Sequence, residues 1–348
     1  MLSTSVPGVL AMRTMRLWWG ILAVLMCLTA AAAADEPASY RAGTKGFVSE
    51  MARKHGFDKA ELTTLMGQAH YSREVMDAIQ RPFEAKPWYK YRPIFLTDRR
   101  IRGGVAFRHE NRGLLERAQA VYGIPPQIIT AIIGVETSYG GNLGRHRVID
   151  ALSTLGFSYP KRADFFRKEL EALLLLAREE SIDALGLRGS YAGAMGLPQF
   201  IPSSYRAYAV DFDGDGRRDL WENKADVIGS VGNYLEQHGW KAGEPVAFTA
   251  RVTDGAPKGI VPAGKKPVKP SISLDRLRAA GITAAVHLHG STRVALIRLH
   301  ALKPEYWLGL DNFYVITRYN HSNLYAMTVY QLSREIQAAY ESGRFIRK

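Results

Sequence analysis

Between Pro126 and Val135 the chain carries Ile128, Ile129, Ala131, Ile132, Ile133 and Val135, a run that leaves no face for water. Wound at 3.6 residues per turn, such a segment is hydrophobic all round and has to sit inside a shell of other elements. Pro125 and Pro126 stand where a first helical turn tolerates proline, because the missing N–H would have no helical partner there. The run ends on Glu136, with Thr137-Ser138-Tyr139-Gly140-Gly141 directly after it. A chain with this element folds around one buried helix that has a carboxyl group at its C-terminal tip.

The rest of the sequence supplies the shell. Phe47, Met51 and His55 fall at helical spacing within a region, 40–85, that reads as short helices, and Asp58 is a candidate cap for the second of them. Residues 99–121 repeat the period with Val105, Leu114, Leu115, Ala118 and Val121. Residues 163–180 carry Phe166, Leu170, Leu173, Leu174 and Ala177 on one stripe, and 226–238 is a further helical stretch. After Trp240 the period drops to two. Val246, Phe248, Ala250 and Val252 alternate as in a strand, Pro257, Pro262, Pro267 and Pro270 mark a loop, and Val286/Leu288 and Val294/Leu296 predict two more strands. A final helix presents Val329, Leu332, Ile336 and Ala339 on one face. The expected organisation is a leader at 1–34, a helical lobe and core at 35–240, a small β-lobe at 241–300, and a return to the core at 301–348.

Arg13 and Arg16 precede an apolar run from Leu17 to Leu28 and a small-residue stretch, Ala30 to Ala34, that has the order of a cleavable secretory signal. Ala32 and Ala34 fit its cleavage pattern, so the mature chain is expected to begin near Asp35 in the periplasm. Membrane attachment would require this segment to be retained, or lipidated at Cys27, whose bulky neighbour Met26 disfavours lipidation. Cys27 is the sole cysteine. The mature protein therefore has no disulfide, no cysteine nucleophile and no thiolate metal ligand. The net charge of +13 falls to +11 without the leader, a balance suited to a polyanion. No zinc-finger spacing or aromatic RNA-binding pattern accompanies it, so nucleic acid is not the expected partner.

Glu136 is the group with chemical promise. Apolar surroundings and the negative end of a helix dipole both disfavour its charged form. A carboxyl kept protonated near neutral pH can give its proton to a glycosidic oxygen. A second segment, Gly189-Ser190-Tyr191-Ala192-Gly193-Ala194-Met195-Gly196-Leu197-Pro198-Gln199, has the small residues that close backbone approach requires, with Ser190 and Gln199 left to meet a substrate. A third, Tyr319 to Tyr325, offers aromatic faces for sugar rings and amides for their hydroxyl and acetamido groups.

Taken together, Gly134-Val135-Glu136-Thr137-Ser138-Tyr139-Gly140, Asp150 to Phe157, Gly189 to Gln199 and Arg318-Tyr319-Asn320 to Tyr325 resemble the membrane-bound lytic murein transglycosylase B family, over roughly residues 45–340. The resemblance implies a mainly α fold of the α+β class: a lysozyme-like helical core, an additional helical lobe and a small β-lobe. It implies cleavage of the β-1,4 bond between N-acetylmuramic acid and N-acetylglucosamine in peptidoglycan, leaving a 1,6-anhydro end, with Glu136 as acid and then base. Ser190 and Gln199 would position or polarise the sugar, and Tyr91, Tyr234, Tyr319, Asn320 and Tyr325 would line the cleft. The expected partners are glycan strands and, beside them, cell-wall synthesis proteins. A lysozyme-type hydrolase, a non-catalytic peptidoglycan-binding protein and a calcium-responsive partner protein are the alternatives to this enzyme.

One further motif reads as a metal loop. Within residues 211–222, Asp211, Asp213 and Asp215 occupy the first three side-chain positions of an EF-hand-like loop, with Gly216 at the turn, the Arg217 carbonyl at seven, Asp219 at nine and Glu222 at twelve. Packed aspartates repel one another unless a cation joins them, so a structural Ca2+ is expected in the core lobe. In the family resembled, the closing carboxylate can lie further along, so Asp226 competes with Glu222.

Overall fold

The structure is a computed structural model that describes residues 36–81, 86–253 and 259–345. The leader expected over residues 1–34 lies outside the described residues. Among the described residues no single helix is long and apolar enough to cross a membrane.

The chain opens with α1 (Ala38–His55), α2 (Lys59–Met66), α3 (Arg73–Ile79), α4 (Trp88–Phe95), α5 (Asp98–Glu110) and α6 (Arg112–Tyr122). Asp58 caps α2 as its position suggests, its side chain accepting from Glu61 N at 2.8 Å. The single helix read over 99–121 is two. Asn111 breaks it, and its amide turns back to donate to Phe107 O at 2.8 Å, competing with the helical ladder.

The apolar run forms α7 (Pro126–Thr137), set at 113° to α6 across the Gly123–Pro125 break. Every residue from Ile128 to Val135 is buried. The chain continues with α8 (Val148–Ser158), α9 (Ala163–Glu180), α10 (Pro202–Tyr208), α11 (Lys224–Gln237), α13 (Asp311–Tyr319) and the long α14 (Asn323–Glu341), and α5, α6, α11 and α14 pack on α7; α12 (Leu274–Ala279) belongs to the β-lobe. α14 packs along α7 and α5. One shared apolar core joins these helices.

Two sheets complete the fold. A two-residue pair, β1 (His146–Arg147) with β2 (Arg188–Gly189), is antiparallel and delivers the chain to Ser190. The second sheet has the order β4-β6-β7-β3-β5, with antiparallel neighbours throughout. Its members are β3 (Ala247–Val252), β4 (Ile272–Ser273), β5 (Ile282–Thr283), β6 (Arg293–Leu299) and β7 (Glu305–Gly309). Strands were expected at β3 and β6. The strand expected at Val286/Leu288 is not formed: that stretch is irregular and lays its apolar side chains on the small core without a strand neighbour. β7, which the alternation rule did not flag, extends the sheet to Gly309.

β6 explains how the small sheet is fixed. Val294 and Leu296 face a separate small core with Ile260, Leu274, Leu277, Ile282, Leu308 and Leu310. The alternate residues Ala295, Ile297 and Leu299 enter the main helical core. A strand buried on both faces has no polar face to alternate with, so the run Val-Ala-Leu-Ile is continuous.

Candidate active site

Glu136 is half-buried, one residue before the end of α7. The backbone then enters the left-handed region at Ser138 (φ 52°), Tyr139 (φ 64°) and Gly140 (φ 93°). Two consecutive non-glycine residues there cost about 1–3 kcal/mol each, so the surroundings must hold the turn. Tyr139 shows how. Its ring fills a slot against Gly103, Gly104 and Gly134, and its hydroxyl donates to Arg100 O at 2.9 Å. A Cβ added at Gly134 would lie 2.5 Å from that hydroxyl oxygen, so any side chain there would expel the ring. Sequence reasoning passed over this slot; the Gly103-Gly104 pair within a helical pattern was the available signal.

The turn after Glu136 is stitched to the segment that carries Gln199. Met195 and Phe200 exchange backbone hydrogen bonds of 2.8 and 3.0 Å, which closes a tight loop at 196–199. Three carbonyls of that loop each meet a different side chain, one of them within the loop. Gly196 O accepts from Gln199 Nε2 at 2.9 Å, Leu197 O lies 3.1 Å from Thr137 Oγ1, and Pro198 O accepts from Tyr319 Oη at 2.7 Å. Gln199 also donates from Nε2 to Leu143 O at 3.3 Å. Two carbonyl acceptors leave no doubt which end of the amide is nitrogen, and they fix the plane in which its oxygen is presented. Gln199 itself takes φ 50°, a strained value that this network holds in place.

Ser190 is reached from the other side. Its Oγ accepts from Ala194 N at 3.0 Å and Ala192 N at 3.3 Å, so its own O–H is left to be given elsewhere. The close approach expected of this segment is present. A Cβ on Gly144, whose φ is 88°, would lie 2.1 Å from Gly189 O, and one on Gly189 would lie 2.1 Å from Ala194 O.

Tyr325 Oη donates to Glu136 Oε1 at 2.6 Å. The Tyr325 ring is buried at 2% exposure and stacks on Tyr319 with centroids 6.3 Å apart and planes at 10°. Burial, and then the charge of Glu136, push both hydroxyls well above the ordinary tyrosine value, so both stay protonated and donate hydrogen bonds. Behind Tyr319 stands Tyr234, 4.8 Å away ring to ring; its hydroxyl donates to Arg318 O at 2.7 Å and its other face stacks on His238 at 4.1 Å. Tyr234 is 7% exposed and Tyr91 1%. Tyr91 packs between Trp88 and Phe95. Both are covered to about the same degree as Tyr325, and Tyr91 is near enough to influence the Tyr325 hydroxyl. Asn320 is half-buried in extended backbone between α13 and α14.

In the acidic loop Asp226 and Glu222 are placed differently. The carboxylate oxygens of Asp211, Asp213 and Asp226 lie within 4.8 Å of one another. Asp226, at 0% exposure on the first turn of α11, also accepts from Phe212 N at 2.7 Å and Asp219 N at 2.8 Å, while Glu222 is exposed. Asp215 accepts from Arg217 N and Asp219 from Trp221 N, both at 2.8 Å, so these side chains shape the loop. Arg217 is an exposed loop residue.

These arrangements coincide with a known family. The transglycosylase SLT domain family matches residues 39–334. The chain belongs to it. Membrane-bound lytic murein transglycosylase B of Escherichia coli is 45% identical over 305 residues, 84% of this chain and 82% of that protein. Soluble lytic transglycosylase SltB1 from Pseudomonas aeruginosa is 52% identical with a TM-score of 0.80, covering 86% of this chain and 99% of that one. Escherichia coli Slt35, solved in complex with calcium, is 44% identical with a TM-score of 0.79 over 86% of this chain and 94% of that one. Pseudomonas aeruginosa SltB3, solved with NAG-anhNAM-pentapeptide, is 29% identical with a TM-score of 0.75 over 86% and 80%. The lysozyme-like, mainly helical fold with a small antiparallel sheet is theirs as well. The protein is a peptidoglycan-cleaving lytic transglycosylase of the cell envelope.

Proposed function

We propose that Glu136 alone carries the proton transfers of this cleavage and that the product is a 1,6-anhydro-N-acetylmuramic acid end. The observation that carries the reading is the Tyr325–Glu136 hydrogen bond of 2.6 Å, which aims a half-buried carboxyl from the tip of a buried helix. The fully buried carboxyls are committed elsewhere: Glu169 accepts from Ser203 N and Oγ, and Asp226 belongs to the acidic loop. Most glycosidases need two flanking carboxyls. One suffices when the nucleophile is part of the substrate. Glu136 gives its proton to the bridging oxygen, the C1–O bond breaks with its electron pair going to that oxygen, and the acetamido group steadies the positive charge at C1. The carboxylate then takes the proton of the muramic 6-hydroxyl as its oxygen bonds to C1. Ser190 Oγ donates to the sugar, Gln199 presents its amide oxygen, and Tyr319 with Asn320 borders the ring. Solved with an anhydro-muramyl peptide, SltB3 supports the same outcome here.

The test is product mass. Intact sacculi digested by the wild-type protein should release fragments one water lighter than reducing-end products; fragments of the hydrolytic mass would assign the protein to the lysozyme-type reaction. The peptidoglycan substrate also fits export to the periplasm by the leader expected over residues 1–34.

We further propose that Asp211, Asp213 and Asp226 hold a structural Ca2+. Burial raises the Asp226 pKa, backbone donors from Asp219 and Phe212 oppose the rise, and the charges of Asp213 and Asp211 add to it. A cation among three carboxylates within 4.8 Å removes that repulsion. It would join the loop to α11, which carries Tyr234, with no part in bond breaking. Calcium at a hundred times its dissociation constant should stabilise the fold by about 2.7 kcal/mol, read as a higher unfolding temperature. Asp226→Asn should abolish the shift. No shift in the wild-type protein at millimolar calcium would refute the site.

A further inference from the structure

Asn323 is the first residue of α14 and only 2% exposed. It is two positions ahead of Tyr325, and all of its donors go to the β-lobe. Its backbone N–H donates to Lys265 O at 2.8 Å, and its Nδ2 donates to Gly264 O at 2.7 Å and Lys266 O at 2.9 Å. A first-turn N–H has no partner within its own helix, so the β-lobe satisfies a group that α14 cannot. The far side of the same turn is anchored as well. Ala263 N donates to Leu296 O at 2.7 Å and Arg298 N to Ala263 O at 2.9 Å, which binds the turn to β6. β6 is in turn held by both cores. A continuous path of hydrogen bonds and packed backbone thus runs from the sheet through residues 263–266 and Asn323 to the start of the helix whose Tyr325 holds Glu136.

We propose that Asn323 is a positioning residue for the reaction: by clamping the 264–266 turn it sets the height and rotation of the first turn of α14, and so the aim of Tyr325 on Glu136. This gives the β-lobe a role in catalysis without contact with the reacting atoms. Ser322 caps the same turn, its Oγ accepting from Tyr325 N at 3.4 Å. A cap fixes the helix to itself. It does not by itself fix the helix to the rest of the protein; apolar packing of Leu324 and Ala326 does so toward the main core, and the clamp does so toward the β-lobe.

The inference rests on the Glu136 reading, and its test separates the two. Glycan cleavage is measured for Asn323→Ala, Asn323→Asp, Tyr325→Phe and the Asn323→Ala/Tyr325→Phe double variant, with Glu136→Gln in parallel. Asn323→Asp keeps the volume but sets an acceptor against the Gly264 and Lys266 carbonyls, so thermal unfolding is recorded for every variant and kinetics are compared only where the fold is retained. Misplacement of a catalytic group by a fraction of an ångström should lower kcat roughly 5- to 30-fold in both Asn323 variants, with KM nearly unchanged. In the Tyr325→Phe background the Asn323→Ala loss should shrink to less than about 2-fold, because the group it positions is gone. Full multiplication of the two losses, or a change in KM alone, overturns the positioning role while leaving Glu136 in place. An active Glu136→Gln protein overturns the underlying reading instead.

Discussion

Glu136→Gln should lower the release of anhydro-muropeptides roughly 10³- to 10⁴-fold, the upper part of the range for a single proton-transfer group. Two features place it there. The same carboxyl is asked to act twice, first giving a proton to the leaving oxygen and then taking one from the 6-hydroxyl, and an amide does neither. Among the described residues the fully buried carboxyls are not in reserve, because Glu169 is held by Ser203 and Asp226 by the acidic loop. The substitution is nearly isosteric, and the amide oxygen can still accept from Tyr325, so the unfolding temperature should move little. The measurement is initial rate on purified sacculi by mass-resolved chromatography, together with thermal unfolding of the same preparation. Activity within tenfold of the wild type in a well-folded variant would remove Glu136 from the chemistry.

Tyr325→Phe should cost less and in a different way. A hydrogen bond to a charged group contributes about 1.5–3 kcal/mol, which corresponds to roughly 10- to 150-fold in kcat at 1.4 kcal/mol per decade. The ring remains, so its stacking on Tyr319 and its burial beside α7 survive, and KM should hold within about threefold. The Tyr325 hydroxyl is not itself a proton source. Burial and the neighbouring carboxylate hold its pKa far above the usual value of about 10, so it stays protonated across the working range. The variant should therefore lose rate at every pH without gaining a new limb in the profile. A loss confined to KM would make Tyr325 a sugar-binding side chain instead.

Much of this site could be read in the sequence because its parts are local. The buried helix declared itself by lacking a polar face, and the Gly189 to Gln199 segment by its small residues. The EF-hand-like spacing pointed to Asp211 and Asp213 and left Glu222 and Asp226 in competition; spacing along the chain cannot show that α11 turns the buried Asp226 toward the loop. Other features depend on contacts between distant segments. Alternation flagged β3 and missed β7, and it offered Val286/Leu288 as a strand although no neighbouring strand reaches them. Tyr234 and Tyr91 carry the residue type of a sugar platform, but only the folded chain shows their neighbours, Tyr319 for Tyr234 and Trp88 and Phe95 for Tyr91. The Tyr139 slot needs glycines from α5 and α7 together, and the Asn323 clamp joins a loop to a helix 57 or more positions away.

The carboxyl of Glu136 and the hydroxyl that holds it are 189 positions apart, on α7 and on α14. A polypeptide emerging from the ribosome has finished most of the catalytic core before that hydroxyl has been synthesised. The pair can form only after α14 docks along α7, among the most non-local contacts in the molecule and a late one to be gained. The pair is therefore completed only once synthesis has passed α14 and that helix has docked, and a copy cut short before α14 lacks the donor that Glu136 meets.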